Sequence, residues 1–187
     1  MKLLLHTCCA PCSIQCVNDL NADGITPELY WYNPNIHPYT EYRSRMDSLK
    51  EFVKEKNLPL IIEDEYGLRA FVRAVENENS AGPAKAARCA FCYRLRLGKA
   101  ARMAAEKGYD AFTTSLLISP YQDHELLRQI GEEEAGNHGV EFLYRDFRPH
   151  FWEGRKLAKE AGYYMQKYCG CIYSEEERYL AKQAGND

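Results

Sequence analysis

No apolar run in the sequence approaches the roughly 20 residues needed to cross a bilayer, which excludes a membrane-spanning helix and, with it, a membrane partner. Basic excess is also missing. There are 24 Lys and Arg against 27 Asp and Glu, a formal charge of −3. Any contact with nucleic acid must therefore come from a local patch. Internal repeats and low-complexity linkers are absent too. Met1–Leu5 is too short for a secretory apolar region, and His6 and three cysteines follow soon after. The expected location is the cytoplasm, where thiols stay reduced, so eight cysteines do not read as four structural disulfides.

What is present is an ordinary globular composition, 45% hydrophobic and 27% charged over 187 residues. That length suits one α/β domain over residues 1–187, with a cysteine-containing C-terminal helical segment. Short apolar runs predict strands at Lys2–His6, Glu28–Tyr32, Leu60–Glu63, Ala111–Thr114 and Glu141–Tyr144. Between them, 3.6-residue patterns and start signals predict helices from Pro11 to about Leu20, and over Thr40–Lys56, Leu68–Glu76, Arg88–Lys107 and Asp123–His138. Trp152–Glu160 and Ser174–Gln183 close the chain, and Asn77–Pro83 should break a helix. Strands alternating with helices imply a mainly parallel sheet flanked by helices, with ligands at the carboxyl ends of its strands.

The cysteines fall into three groups: Cys8, Cys9, Cys12 and Cys16; Cys89 and Cys92; Cys169 and Cys171. Two C-x-x-C spacings separated by a long gap can close a four-thiolate metal site. Spacing alone selects Cys9, Cys12, Cys89 and Cys92, with Cys8 able to replace Cys9. Both pairs are expected to open helices, whose N-terminal partial charge favours thiolates. Spacing leaves a structural zinc and an iron–sulfur cluster both open. A site at the mouth of a sheet that already has a core favours the cluster. Cys16, one turn beyond Cys12, reads as a core thiol. Cys169-Gly170-Cys171 would close a very small, strained disulfide ring, the kind that tends to be redox-active; free loop thiols or further metal ligands are the other readings.

Five stretches carry a family likeness. They are Leu4-Leu5-His6-Thr7-Cys8-Cys9-Ala10-Pro11-Cys12; Tyr30-Trp31-Tyr32-Asn33-Pro34-Asn35-Ile36-His37-Pro38; Arg88-Cys89-Ala90-Phe91-Cys92-Tyr93-Arg94-Leu95-Arg96-Leu97; Thr113-Thr114-Ser115-Leu116-Leu117-Ile118-Ser119-Pro120-Tyr121; and Tyr168-Cys169-Gly170-Cys171. Together the chain resembles the QueH type of epoxyqueuosine reductase over nearly its whole length. The resemblance implies reduction of epoxyqueuosine to queuosine at the wobble base of tRNA, the last step of queuosine synthesis, without cobalamin. It implies a [4Fe–4S] cluster on Cys8, Cys9, Cys89 and Cys92, and a redox-active disulfide between Cys169 and Cys171. It also implies a second iron, for which Cys12 is a candidate ligand, and an external electron donor. The implied fold is similar to the nucleotide-hydrolase-like (HUP, ATP pyrophosphatase) fold. Those proteins cradle phosphate in a glycine-rich first loop; Thr7–Pro11 contains no glycine, which argues against ATP use.

Removing an epoxide oxygen as water takes two electrons and two protons, which a dithiol can deliver. His6, His37, Tyr93 and His124 are candidate proton donors. Arg88, Arg94, Arg96, Lys99 and Arg102 are candidate phosphate contacts, and Tyr30, Trp31, Tyr32, Tyr39 and Tyr42 candidate stacking partners for anticodon bases. Two rival functions are a zinc-stapled RNA-binding module and a tRNA sulfur-transfer enzyme.

Overall fold

The computed structural model describes residues 1–78 and 84–184. Five strands and seven α-helices occur among them. In order these are β1 (Leu3–His6), α1 (Ala10–Ala22), β2 (Glu28–Trp31), α2 (Tyr39–Lys56), β3 (Leu60–Ile62), α3 (Leu68–Glu78) and α4 (Lys85–Glu106). Then come β4 (Ala111–Thr114), α5 (His124–His138), β5 (Glu141–Phe142), α6 (Phe151–Glu160) and α7 (Ile172–Ala184). Of the break expected over Asn77–Pro83, residues 79–83 lie outside the described ones, and α3 runs on through Glu78.

All strand pairs are parallel, in the order β3-β2-β1-β4-β5. This is the α/β architecture expected, of the nucleotide-hydrolase-like kind. β1 is central, so both its faces meet helices and all four residues are buried. Leu3, Leu4 and Leu5 each contribute about 1.5–3 kcal/mol by leaving water, which anchors the strand that carries the cysteine loop. From β1 the chain moves outward to β2 and β3, then returns through α4 to β4 on the other side of β1. The order therefore reverses between β1 and β4, where α/β sheets open a crevice at their carboxyl ends.

Local signals set the helix ends nearby. Cys9 caps α1 in an extended conformation, and Pro11 occupies the first turn, where its missing N–H costs nothing. Asp123 caps α5 by accepting from the Leu126 N–H at 3.0 Å, and Gly139 ends it at φ +67°. Gly131 of α5 must be glycine for another reason. A Cβ there would lie 2.4 Å from the Phe142 ring of β5.

Candidate active site

Thr7, Cys8 and Cys9 link β1 to α1 at the point where the strand order reverses. The Cys8 N–H donates to Ser115 Oγ at 3.3 Å, which ties the loop to the segment after β4. Asn33 Nδ2 donates to the Thr7 carbonyl at 2.9 Å and ties it to the segment after β2. With Cys9 as the cap and Cys12 in the first turn, the sulfurs of Cys8, Cys9 and Cys12 all lie within 4.8 Å of one another. Gln166 Nε2 donates to Cys12 Sγ at 3.2 Å. Hydrogen bonds from Cys12 and Cys9, and then the charges of Arg45 and Arg96, hold the Cys8 thiol well below its ordinary range. Burial pushes Cys9 up, and donation to Cys8 pushes Cys12 up. The trio, with Cys8 the member shifted toward the thiolate, is suited to a soft metal. Cys16 is fully buried, donates to the Cys12 carbonyl at 3.2 Å, and is pushed up by burial, as a core thiol is.

A second group joins Cys89 and Cys92 of α4 to Cys169 and Cys171. Cys92 and Cys171 are buried together with Phe71 and Val75. Burial pushes Cys92 up to about 12 and Cys89 upward as well. Cys169 is exposed, and Cys171 is buried; both are free thiols. Gln122 Nε2 donates to Cys169 Sγ at 3.5 Å, while its Oε1 accepts from the Tyr93 hydroxyl at 2.7 Å. The expectation that Cys89 and Cys92 open their helix is corrected: α4 begins at Lys85, so both N–H groups lie inside the hydrogen-bonded ladder and gain little from the helix end.

Two arginines, each 1% exposed, stand between the groups. Arg45 forms an ion pair with Glu41 at 2.7 Å and donates to the carbonyls of Tyr168 and Cys169, each at 2.9 Å. Arg96 has no carboxylate partner among the described residues. Its Nε donates to the Cys92 carbonyl at 3.3 Å, its Nη2 has no partner, and its strongest charge interactions are with Cys92, Cys169 and Cys8. Gly170, at φ +141°, lets the loop lie flat here. A Cβ would stand 3.2 Å from Ile36 Cγ1 and 3.4 Å from Arg45 Nη1.

Residues 3–177 match the family model described as Epoxyqueuosine reductase QueH. The chain belongs to the QueH epoxyqueuosine reductase family. Epoxyqueuosine reductase QueH of Dehalococcoides mccartyi is 39% identical over 95% of this chain and 94% of its own length. Those of Acinetobacter baylyi and Thermotoga maritima are 37% and 32% identical, covering 92% and 94% of this chain and 80% and 91% of theirs. QueH proteins are named as reductases, so this chain is an oxidoreductase by family. A solved structure titled as a predicted subunit of tRNA methyltransferase from Methanocaldococcus jannaschii shares the fold alone. It has a TM-score of 0.51 at 15% identity, over 98% of this chain and 88% of that one.

Several candidates from the sequence fall elsewhere in this QueH chain. Tyr30 and Trp31 are buried because both faces of the interior parallel strand β2 are covered, and Tyr32 after it and Tyr42 of α2 are buried as well; only Tyr39 of that set is exposed. Arg88 is buried against Glu177, Arg94 pairs with Glu133, Lys99 with Glu63 and Arg102 with Glu106. They form no free phosphate stripe. His6 and His37 are buried, and burial lowers each to about 4. His6 lies between Thr114 and the Tyr32 carbonyl. His37 accepts from the Ile172 N–H on Nδ1 at 3.3 Å and donates from Nε2 to the Pro34 carbonyl at 3.0 Å. Both are neutral structural clamps, and His124 bonds the Ser119 carbonyl. Tyr93 keeps a link to the site through Gln122. Arg45 and Gln122 were missed, since neither stands in a cysteine motif. Arg96 had a signal that was read differently: Cys89, Cys92 and Arg96 share one helical face.

Proposed function

We propose that this chain reduces epoxyqueuosine to queuosine at the wobble position of tRNA in the cytoplasm, without cobalamin and with an iron–sulfur cluster. The observation that carries the reading is Arg96, a buried guanidinium with an orphan Nη2 and no carboxylate partner among the described residues, whose charge faces Cys92, Cys169 and Cys8. A cation taken out of water costs several kcal/mol unless an anion faces it. An iron–sulfur cluster held by thiolates is such an anion, and the Cys8, Cys9 and Cys12 sulfurs, within 4.8 Å of one another, offer it soft ligands. Cys8, Cys9, Cys89 and Cys92 would hold a [4Fe–4S] cluster, and Cys12 would help hold a second iron. When bound, these groups supply single electrons and a Lewis acid for the epoxide oxygen.

The remaining steps belong to the protein. In their dithiol form, Cys169 and Cys171 carry two electrons and two protons. One dithiol and one epoxide give one alkene, one water and one disulfide, which balances. An external donor, itself a thiol-class reductant, returns the disulfide to the dithiol. Cys169 is the exposed member and the one such a donor can reach. Arg45 and His37 hold the segment in place, through the Cys169 carbonyl and the Ile172 N–H. The test is anaerobic incubation with tRNA containing epoxyqueuosine and a chemical reductant, followed by nucleoside mass spectrometry. Loss of one oxygen from the nucleoside is expected. A colourless zinc protein that binds tRNA and leaves the nucleoside intact would overturn the reading in favour of an RNA-binding module.

A further inference from the structure

Tyr121 and Trp152 are the two most exposed aromatic side chains among the described residues, at 73% and 68%. They meet through Phe151, which is buried. Its ring stands edge-on to Tyr121 with centroids 5.9 Å apart, and to Trp152 with centroids 5.0 Å apart. The Arg155 guanidinium lies 5.8 Å from the Phe151 centroid and forms no ion pair with a carboxylate among the described residues. Of the neighbouring cations, Arg148 pairs with Asp146 and Lys156 with Glu160, whereas Lys159 of the same helix forms no ion pair with a carboxylate among the described residues.

The patch borders the cysteine site. Tyr121 directly precedes Gln122, whose amide touches Cys169. Helix α6, which begins at Phe151, packs on α1, the helix that carries Cys12. Gly154 marks the contact, since a Cβ there would lie 3.1 Å from Gln15 Cγ and 3.4 Å from the Pro11 carbonyl oxygen. Large apolar rings left in water beside an unpaired cation suit a ligand that is flat, aromatic and anionic at once. Unpaired nucleotides have that chemistry: the bases stack, and the phosphates meet the arginine. An aliphatic protein partner would gain nothing from Arg155.

We propose that Tyr121 and Trp152 stack on unpaired bases that flank the reacting nucleotide, while Arg155 meets the RNA backbone. This rests on the RNA-substrate reading above and adds the surface that positions the RNA. The chain has only two tryptophans, and Trp31 is fully buried with its indole N–H donating to Tyr42. A change in tryptophan fluorescence therefore reports on Trp152.

The experiment titrates the protein with an anticodon stem–loop RNA, with a fully paired RNA of equal charge, and with anionic lipid vesicles. Saturable quenching by the stem–loop alone is expected, and Trp152→Leu should abolish it. With epoxyqueuosine tRNA as substrate, Tyr121→Leu and Trp152→Leu should each raise KM about ten-fold with little change in kcat. Unchanged melting temperatures would show that these exposed substitutions leave the fold intact. Turnover by wild type without quenching, and with wild-type KM in both variants, overturns the platform and leaves the reductase reading standing. Equal quenching by paired RNA or by vesicles overturns it too, as does a spectral change driven by protein concentration alone. Quenching by the stem–loop in a protein that never reduces the nucleoside supports the platform and overturns the reductase reading instead.

Discussion

Arg45 Nη1 donates to the carbonyl oxygen of Cys169 at 2.9 Å, so a guanidinium of α2 holds the backbone of a cysteine 124 positions further along. Its second Nη donates to the Tyr168 carbonyl, and its Nε to Glu41. Replacing Arg45 with Met removes all three and leaves Glu41 buried without its cation. We expect a loss of about 3–5 kcal/mol in denaturant unfolding. Arg45→Lys is the sharper test. A lysine keeps the charge but cannot fork across two carbonyls and a carboxylate. It should cost less stability yet still lower turnover at least ten-fold. Wild-type turnover in Arg45→Lys would show that the loop needs no such clamp.

The sequence made the sheet legible because β1, β2 and β4 are short apolar runs between helical patterns, and their boundaries agree with the structure to within a residue. It also marked the cysteines Cys8, Cys9 and Cys12 whose sulfurs the structure brings together. It did not show how they group. Cys8, Cys9 and Cys12 cluster because one helix turn brings them together, whereas Cys92 and Cys171 share a pocket with Phe71 and Val75 that only the tertiary fold builds. Aromatic residues misled for a similar reason. Tyr30 and Trp31 look like a display surface, but a two-sided parallel sheet buries both parities of a strand, while Tyr121, at the end of the Thr113–Tyr121 stretch, and Trp152, in the first turn of α6, are left exposed.

The cysteine trio gives a prediction about metal. Cys8→Ala, Cys9→Ala, Cys89→Ala and Cys92→Ala should each lose iron and visible absorbance after anaerobic reconstitution. Cys16→Ala should keep both, because its sulfur contacts the Cys12 carbonyl and the core; we expect a stability cost of about 1–2 kcal/mol for the lost volume. Full iron in Cys8→Ala combined with loss in Cys12→Ala would replace the proposed ligand set with the one based on spacing.

Arg96 should act oppositely in the metal-free and metal-loaded protein. Without an anion, its buried charge is a burden, so Arg96→Met should raise the melting temperature of the metal-free protein by a few degrees, about 1–2 kcal/mol. The same variant should bind less iron, because the positive charge that favours thiolates on Cys8 and Cys92 is gone. A melting temperature lower than wild type in the metal-free state would mean that the guanidinium is already compensated.

His37 predicts a pH dependence with a definite sign. Burial holds its folded value at about 4, below the ordinary 6.5. Between these values the unfolded chain takes up a proton that the folded one refuses. Stability from this group is therefore complete above pH 6.5 and declines as the pH falls toward about 4, by roughly 1.4 kcal/mol per unit. Urea midpoints measured from pH 7 to pH 5 should fall accordingly, and less steeply in His37→Gln. Equal slopes in the two proteins would remove His37 as the cause.

Cys169 and Cys171 carry the most direct test of the redox assignment. They stand beside Cys89 and Cys92 but differ in access. Cys169 is exposed and accepts from Gln122, whereas Cys171 lies in the apolar pocket with Cys92. If the pair supplies the two electrons, either serine variant should lose turnover while retaining iron and visible absorbance, because the proposed cluster ligands Cys8, Cys9, Cys89 and Cys92 are untouched. Brief treatment of the reduced protein with iodoacetamide should label Cys169 well before Cys171, and labelling should track the loss of activity. If the pair only braces the loop, the serine variants should be less stable yet still convert epoxyqueuosine with an artificial reductant. Turnover near wild type in Cys169→Ser would rule out the dithiol as the electron source. Loss of iron in that variant would instead make Cys169 a ligand, and the Gln122 hydrogen bond would then orient a metal-bound sulfur rather than a thiol in exchange.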